Sequence, residues 1–244
     1  ELLAAALFRS GILWMRLGDW VQARELLEEA RGLFSMLGIE TQIANVENAL
    51  GLLHKSLCEW AVALHYLRDA LARYHTRRSH LVRFAGAYHG WWGDVQPGVG
   101  NPAAPAETYT LADMSEKTLH VLRTRKDIAC VLVNPLQALH PNAGAPGDST
   151  LVDSSRHAHF DREEYAAWLR RLRDVCTERG IPLIFDEVFV GFRLAPGGAQ
   201  EYFGVQADMV TYGKSLGGGL PVGVLCGKAA LMKRFQEDRP ADIC

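Results

Sequence analysis

Residues 161–186 read DREEYAAWLRRLRDVCTERGIPLIFD, and the change of pattern inside this stretch decides the fold. Tyr165, Trp168, Leu169, Leu172, Val175 and Cys176 recur at helical spacing, which predicts a helix over 162–179 with one buried stripe. Asp161 is placed to cap it, Glu164 completes a capping-box pattern, and Gly180 with Pro182 ends it. Leu183-Ile184-Phe185 then run apolar without alternation, as a strand buried on both faces does, and stop at a carboxylate, Asp186. A similar apolar run, Ile128–Asn134, lies upstream. Strand, helix, strand across 128–186 predicts a parallel crossover and an α/β class.

Further strands are predicted at Leu81–Ala85, Met209–Tyr212 and Val222–Cys226, which gives a mostly parallel sheet. Ligands of open parallel sheets bind beyond the carboxyl ends of the strands. Asp186 stands there, and so does Lys214, one glycine after the Met209–Tyr212 run. A carboxylate directly after apolar residues is costly unless a cation or donor meets it. Lys214 sits between Gly213 and Gly217-Gly218-Gly219, where backbone can approach a ligand closely. One cofactor accounts for both residues: pyridoxal phosphate, bound through a lysine amine with an acid facing its ring nitrogen.

The first part of the chain reads differently. All ten prolines lie at Pro97 or later. Gly11, Leu17, Trp20, Ala23 and Ala30 return as Gly51, Leu57, Trp60, Ala63 and Ala70, each 40 residues on. The unit predicts helices at about 3–17, 20–36, 41–56 and 60–75, a helical array of period 40. It resembles the tetratricopeptide repeat in a longer variant, and its expected role is to bind a protein partner. The domain expectation is 1–71 for the repeats and 72–244 for the α/β part.

Composition narrows the classes. Hydrophobic residues make 48% and charged residues 22% of 244 residues, which fits a globular protein rather than a disordered one. The net charge of -2 gives no basic footprint for nucleic acid, and no apolar run long enough for a membrane span occurs. Five cysteines without a C-x-x-C pattern point to a reducing, cytoplasmic location. His140, His157 and His159 lack companions at ligand spacing, so no metal site is expected there. Opening on Glu1 rather than Met, the chain reads as a piece of a longer protein.

From about residue 72 the chain resembles the class III aminotransferases of the aspartate-aminotransferase fold, and within them the glutamate-1-semialdehyde aminomutase-like proteins. The residues that carry this are Phe84 to Gly90, with Tyr88-His89-Gly90; Phe185-Asp186-Glu187-Val188; Val190-Gly191-Phe192-Arg193; Gly197-Gly198-Ala199-Gln200; and Tyr212 to Gly223. The resemblance implies a partial large domain of that type I pyridoxal-phosphate fold. It implies that Lys214 carries the cofactor as an imine, that Asp186 pairs with the pyridine nitrogen, that Tyr88 and Val188 pack on opposite ring faces, and that His89 shapes the Tyr88 loop. Glu187 is expected to be structural, and Gln137 to approach the ring hydroxyl. The implied activity is amino-group transfer between small-molecule amino donors and keto or aldehyde acceptors, in a family that is usually homodimeric. The alternative is a non-enzymatic repeat protein with a degenerate aminotransferase remnant.

Departures accompany the matches. The family receives the cofactor phosphate on a Gly/Ser-Thr loop upstream of the Tyr-His-Gly strand, where this chain carries its helical repeat. Many relatives have Glu-Pro where this chain has Asn134-Pro135. The family's C-terminal small domain would lie beyond residue 244.

Overall fold

The computed structural model describes residues 1–85, 87–90, 107–136 and 161–232. Its first half is four helices, α1 (Leu2–Leu17), α2 (Trp20–Met36), α3 (Glu40–Ser56) and α4 (Trp60–Thr76), each packed on the next. Asp19 caps α2 by accepting a hydrogen bond from the Gln22 amide, 3.1 Å away. The 40-residue repeat is also a repeat of contacts. A Cβ on Gly11 would stand 2.7 Å from Leu27 Cγ, and a Cβ on Gly51 would stand 2.7 Å from Leu67 Cγ. At both positions the glycine lets the paired helix approach closely.

The second half is one six-stranded sheet in the order β2-β1-β3-β4-β5-β6. Its strands are β1 (His80–Phe84), β2 (Thr108–Leu111), β3 (Ile128–Val133), β4 (Leu183–Asp186), β5 (Met209–Tyr212) and β6 (Val224–Gly227). All neighbours are parallel except β5 and β6. The short link from Tyr212 to Val224 explains that exception, because a parallel return needs a crossover of a dozen residues or more. β6 thus starts two residues later than the sequence pattern predicts and reverses direction. Neither the edge strand β2 nor the helix α5 (Glu116–Thr124) is among the elements expected from the sequence. Thr108–Leu111 is only partly buried and its apolar signal is weak, whereas α5 carries a Ser115 cap and Thr118, Leu119 and Leu122 at helical spacing, a local signal those expectations leave unused.

Helix α6 (Arg162–Arg179) forms where expected. Asp161 accepts from the Glu164 amide at 2.9 Å, and Gly180 closes the helix in the left-handed conformation at φ 58°. Its stripe packs with Val82, Phe84, Val131, Val133, Leu183 and Phe185 on one sheet face, together with residues of α5 and of α7 (Gly198–Phe203). The opposite face is covered by α4 and α8 (Ala229–Met232): Ala72 packs with Leu81, Cys130, Leu132, Ile184 and Met209. Helix α4 therefore closes the helical array and roofs the sheet at once, and it runs through positions 71 and 72 without a break.

A buried ionic cluster ties these layers. Arg73, fully buried, lies 3.2 Å from Glu47 on α3 and 2.8 Å from Glu107 at the start of β2, and it donates to the Ser79 carbonyl. Arg31 on α2 meets Glu47 at 3.0 Å. No helix among the described residues is long and apolar enough to cross a membrane.

Candidate active site

Strands β4 and β5 end side by side, with Asp186 opposite Thr211. Alternation along β4 puts Leu183 and Phe185 on the α6 face and Ile184 and Asp186 on the α4 face. The apolar part of the strand thus anchors the sheet, and its last residue delivers a buried carboxylate to the carboxyl edge.

That carboxylate is fully engaged. Asp186 is 3% exposed; its Oδ2 lies 2.7 Å from His89 Nδ1, and its Oδ1 accepts from the Val188 amide and the Thr211 hydroxyl, each at 3.2 Å. Burial alone would raise the Asp186 carboxyl, but the hydrogen bond from His89, with the Arg68 charge behind it, holds it well below the ordinary carboxylate range. Burial pulls His89 down, partly offset by Asp186, so a neutral ring donating Nδ1–H to the carboxylate satisfies both groups. Its Nε2 is buried with no partner among the described residues.

Tyr88, Asn134, Asp186, Val188, Phe189 and Lys214 line a cavity of about 250 Å3. Asn134, directly after β3, donates to the Tyr88 carbonyl at 2.9 Å and so fixes the backbone that carries the Tyr88 ring, which is 47% exposed. Asn134 Oδ1 is buried and unpartnered among the described residues. Lys214 opens a single 3-10 turn (Lys214–Gly217) with φ 42°, a left-handed conformation uncommon for a residue with a Cβ and typical of strained functional positions. The Ser215 hydroxyl, donating to the Gly191 carbonyl at 3.0 Å, pins this turn. Lys214 Nζ lies 6.0 Å from the centre of the Phe189 ring.

Four of the five residues singled out in the sequence, Tyr88, Asp186, Val188 and Lys214, therefore line one cavity, and the fifth, His89, is bonded to Asp186. Glu187 points elsewhere. It is fully buried, accepts from the Ala199 amide at 2.7 Å at the start of α7, and has its carboxyl raised by burial. Two lining residues, Asn134 and Phe189, were not singled out as binding residues. Asn134 had a signal, its place at the carboxyl end of a buried strand; Phe189 had none. Gln137, His140, His157 and His159 lie outside the described residues, among which no cluster of His, Cys, Asp or Glu could hold a metal ion.

The donor set suits the ring of pyridoxal phosphate. An ionised carboxylate, an aromatic face at Tyr88, an aliphatic face at Val188 and a primary amine at Lys214 share one cavity, and the unpartnered Asn134 Oδ1 leaves an acceptor for a ring substituent. Among the described lining residues Lys214 is the only cation, and none of them forms an evident phosphate cradle. Glu59 stands at the N-terminal cap position of α4 without a side-chain capping bond, and its carboxylate meets His54 at 2.5 Å.

Comparison with known proteins agrees with this chemistry. Residues 161–240 match the family model of class-III aminotransferases. The chain is 39% identical over 179 residues to the glutamate-1-semialdehyde 2,1-aminomutase of Methanothermobacter thermautotrophicus, covering 68% of this chain and 38% of that protein. It is 36% identical over 181 residues to the enzyme of the same name from Alkaliphilus oremlandii, covering 67% of this chain and 38% of the relative. Among solved structures it is similar to a transaminase with PLP bound (28% identity, TM-score 0.53, 69% of this chain and 39% of the other). An omega-transaminase from Sphaerobacter thermophilus is also similar (27% identity, TM-score 0.54, 70% of this chain and 40% of the other). The matches thus span well under half the length of these relatives. Residues 161–240, which carry Asp186, Val188, Phe189 and Lys214 of the cavity, therefore match the class-III aminotransferase family, and the chain is similar to its aminomutases and transaminases over the span given.

Proposed function

We propose that this chain is part of a pyridoxal-phosphate-dependent enzyme that transfers amino groups, a transaminase or an aminomutase. The observation that carries the reading is the convergence of a buried, ionised Asp186 and the amine of Lys214 on one cavity bounded by Tyr88 and Val188. When bound, pyridoxal phosphate supplies an electron-withdrawing ring that makes an amino acid's α-proton removable.

The chain's residues have separable tasks. Asp186 holds a proton on the ring nitrogen, and its own position is set by His89, Thr211 and the Val188 amide. Tyr88 packs on one ring face and Val188 on the other. Lys214 Nζ holds the cofactor and, once released, moves a proton at the substrate's α-carbon. His89 and Asn134 orient the Tyr88–Gly90 segment without meeting the substrate. The substrates are a small-molecule amino donor and a keto or aldehyde acceptor. The helices α1–α4 are read as tetratricopeptide-like repeats suited to a protein partner, beside the aminotransferase part; the expected division into 1–71 and 72–244 falls inside α4, which both parts share. A homodimer and a cytoplasmic location complete the proposal. No observation favours a repeat protein with an inert remnant.

The test is a titration with pyridoxal phosphate. A new absorbance band that appears with the parent sequence and is missing from Lys214→Ala supports the reading, and equal bands in both overturn it.

A further inference from the structure

Helix α4 meets the sheet with two different faces of chemistry along its length. Near its C-terminal end Ala72 packs into the apolar layer with Ile184 and Met209. Three residues separate α4 from β1, so the helix runs antiparallel to the parallel strands it covers. Toward its N-terminus the same side of the helix carries Arg68 and His65, four and seven residues before Ala72. Arg68 is fully buried; its Nη1 lies 3.1 Å from His65 Nδ1 and its Nη2 lies 2.6 Å from Asp69 Oδ1.

These spacings bring the cluster level with the site. Arg68 lies about 6 Å along the helix from Ala72, at 1.5 Å per residue. Asp186 lies about 6.6 Å along β4 from Ile184, on the same sheet face. One turn farther on, Leu64 closes on the loop that follows Lys214: a Cβ on Gly223 would stand 2.5 Å from Leu64 Cδ1. No motif of the aminotransferase region supplies this cluster; it belongs to the second unit of the 40-residue repeat.

We infer that Arg68, with His65, is a positioning residue of the site: the buried cluster on α4 backs the Asp186–His89 pair and makes the helical half a working part of the site. This rests on the reading of Asp186 as the group that faces a bound ring. The titratable and charged groups around Asp186 are His89, His65 and Arg68; Asp69 partners Arg68, the Arg83 charge bears on His89, and the Lys214 charge bears on His65. Arg68 is the permanent cation behind the pair. Its charge favours the carboxylate form of Asp186, and after burial it also disfavours protonation of His65 and His89.

The experiment uses the full chain without cofactor, so that it stands or falls apart from pyridoxal phosphate binding. The Asp186 carboxyl is titrated by carbon NMR in the parent and in the double variant Arg68→Met, Asp69→Asn, which removes both charges and leaves no buried ion alone. The midpoint should rise by roughly one pH unit. Arg68→Lys should keep it near the parent value. An unchanged midpoint in the folded double variant overturns the inference. A reciprocal measurement covers a double variant that fails to fold: Asp186→Asn should shift the ring nitrogen signals of His65, and signals identical to the parent's overturn it.

Discussion

His89 Nδ1 and Asp186 Oδ2 stand 2.7 Å apart with both side chains almost wholly out of water. They come from segments 97 residues apart in sequence, the stretch that follows β1 and the end of β4, which the parallel sheet brings to one edge. A carboxylate in such a place is costly unless its oxygens are met by donors, and here three groups meet them.

Stability should follow this carboxylate. Because Asp186 is held below its ordinary range, its contribution is complete above about pH 4 and is lost as pH falls through the lowered folded-state value. Thermal melts of the parent and Asp186→Asn between pH 7 and pH 3 should converge as pH falls. A gap that stays constant across the range would contradict the assignment.

Asp113 gives the opposite sign. Burial raises its carboxyl to about 7, and its Oδ2 has no partner among the described residues. With the folded-state value above the unfolded one, stability is lost as pH rises from about 4 through 7. Relative to its effect at pH 4, Asp113→Asn should therefore stabilise the chain by about 4 kcal/mol at pH 8. Destabilisation at pH 8 would show that the charged form is the native one.

The close approach at the repeat glycines is testable by a contrast. Gly51→Val places new atoms against Leu67, where a Cβ already stands 2.7 Å from Cγ, and should cost about 1–3 kcal/mol. Gly32, inside α2, has open space around a new Cβ, so Gly32→Ala should add up to about 1 kcal/mol. Urea melts of the two variants should move in opposite directions.

Arg73 links α4, α3 and the approach to β2. Arg73→Met leaves the Glu47 and Glu107 carboxylates without their shared cation and should cost about 3–5 kcal/mol. Because the cluster spans both halves, protection of the α2 and α3 amides and of the β3 and β4 amides from hydrogen exchange should be lost in one joint transition in the parent. Separate transitions in the parent would show that the halves fold independently.

The placement of Asp186 and Lys214 at the strand ends was legible because it depends on order along the chain: an apolar run ending in Asp186, and a glycine before Lys214. Helix α6 was legible for a similar reason, since its cap, stripe and terminating glycine are all local. The edge strand Thr108–Leu111 was not, because an edge strand buries too little to leave an apolar signature. The reversal of β6 depends on what a short connection can span, and a reading of strand composition does not weigh that. The placement of Arg68 and His65 behind Asp186 was hidden for another reason. In sequence they belong to the repeat, and only the stacking of α4 on the sheet brings them to the carboxyl edge.

The most direct test is to treat the chain with pyridoxal phosphate, reduce with borohydride, and map the modified lysine by mass spectrometry of peptides. The account predicts that the label falls on Lys214, and that Asp186→Asn lowers its extent. Label spread over exposed lysines such as Lys117, Lys126 and Lys228 with Lys214 unmodified would contradict it.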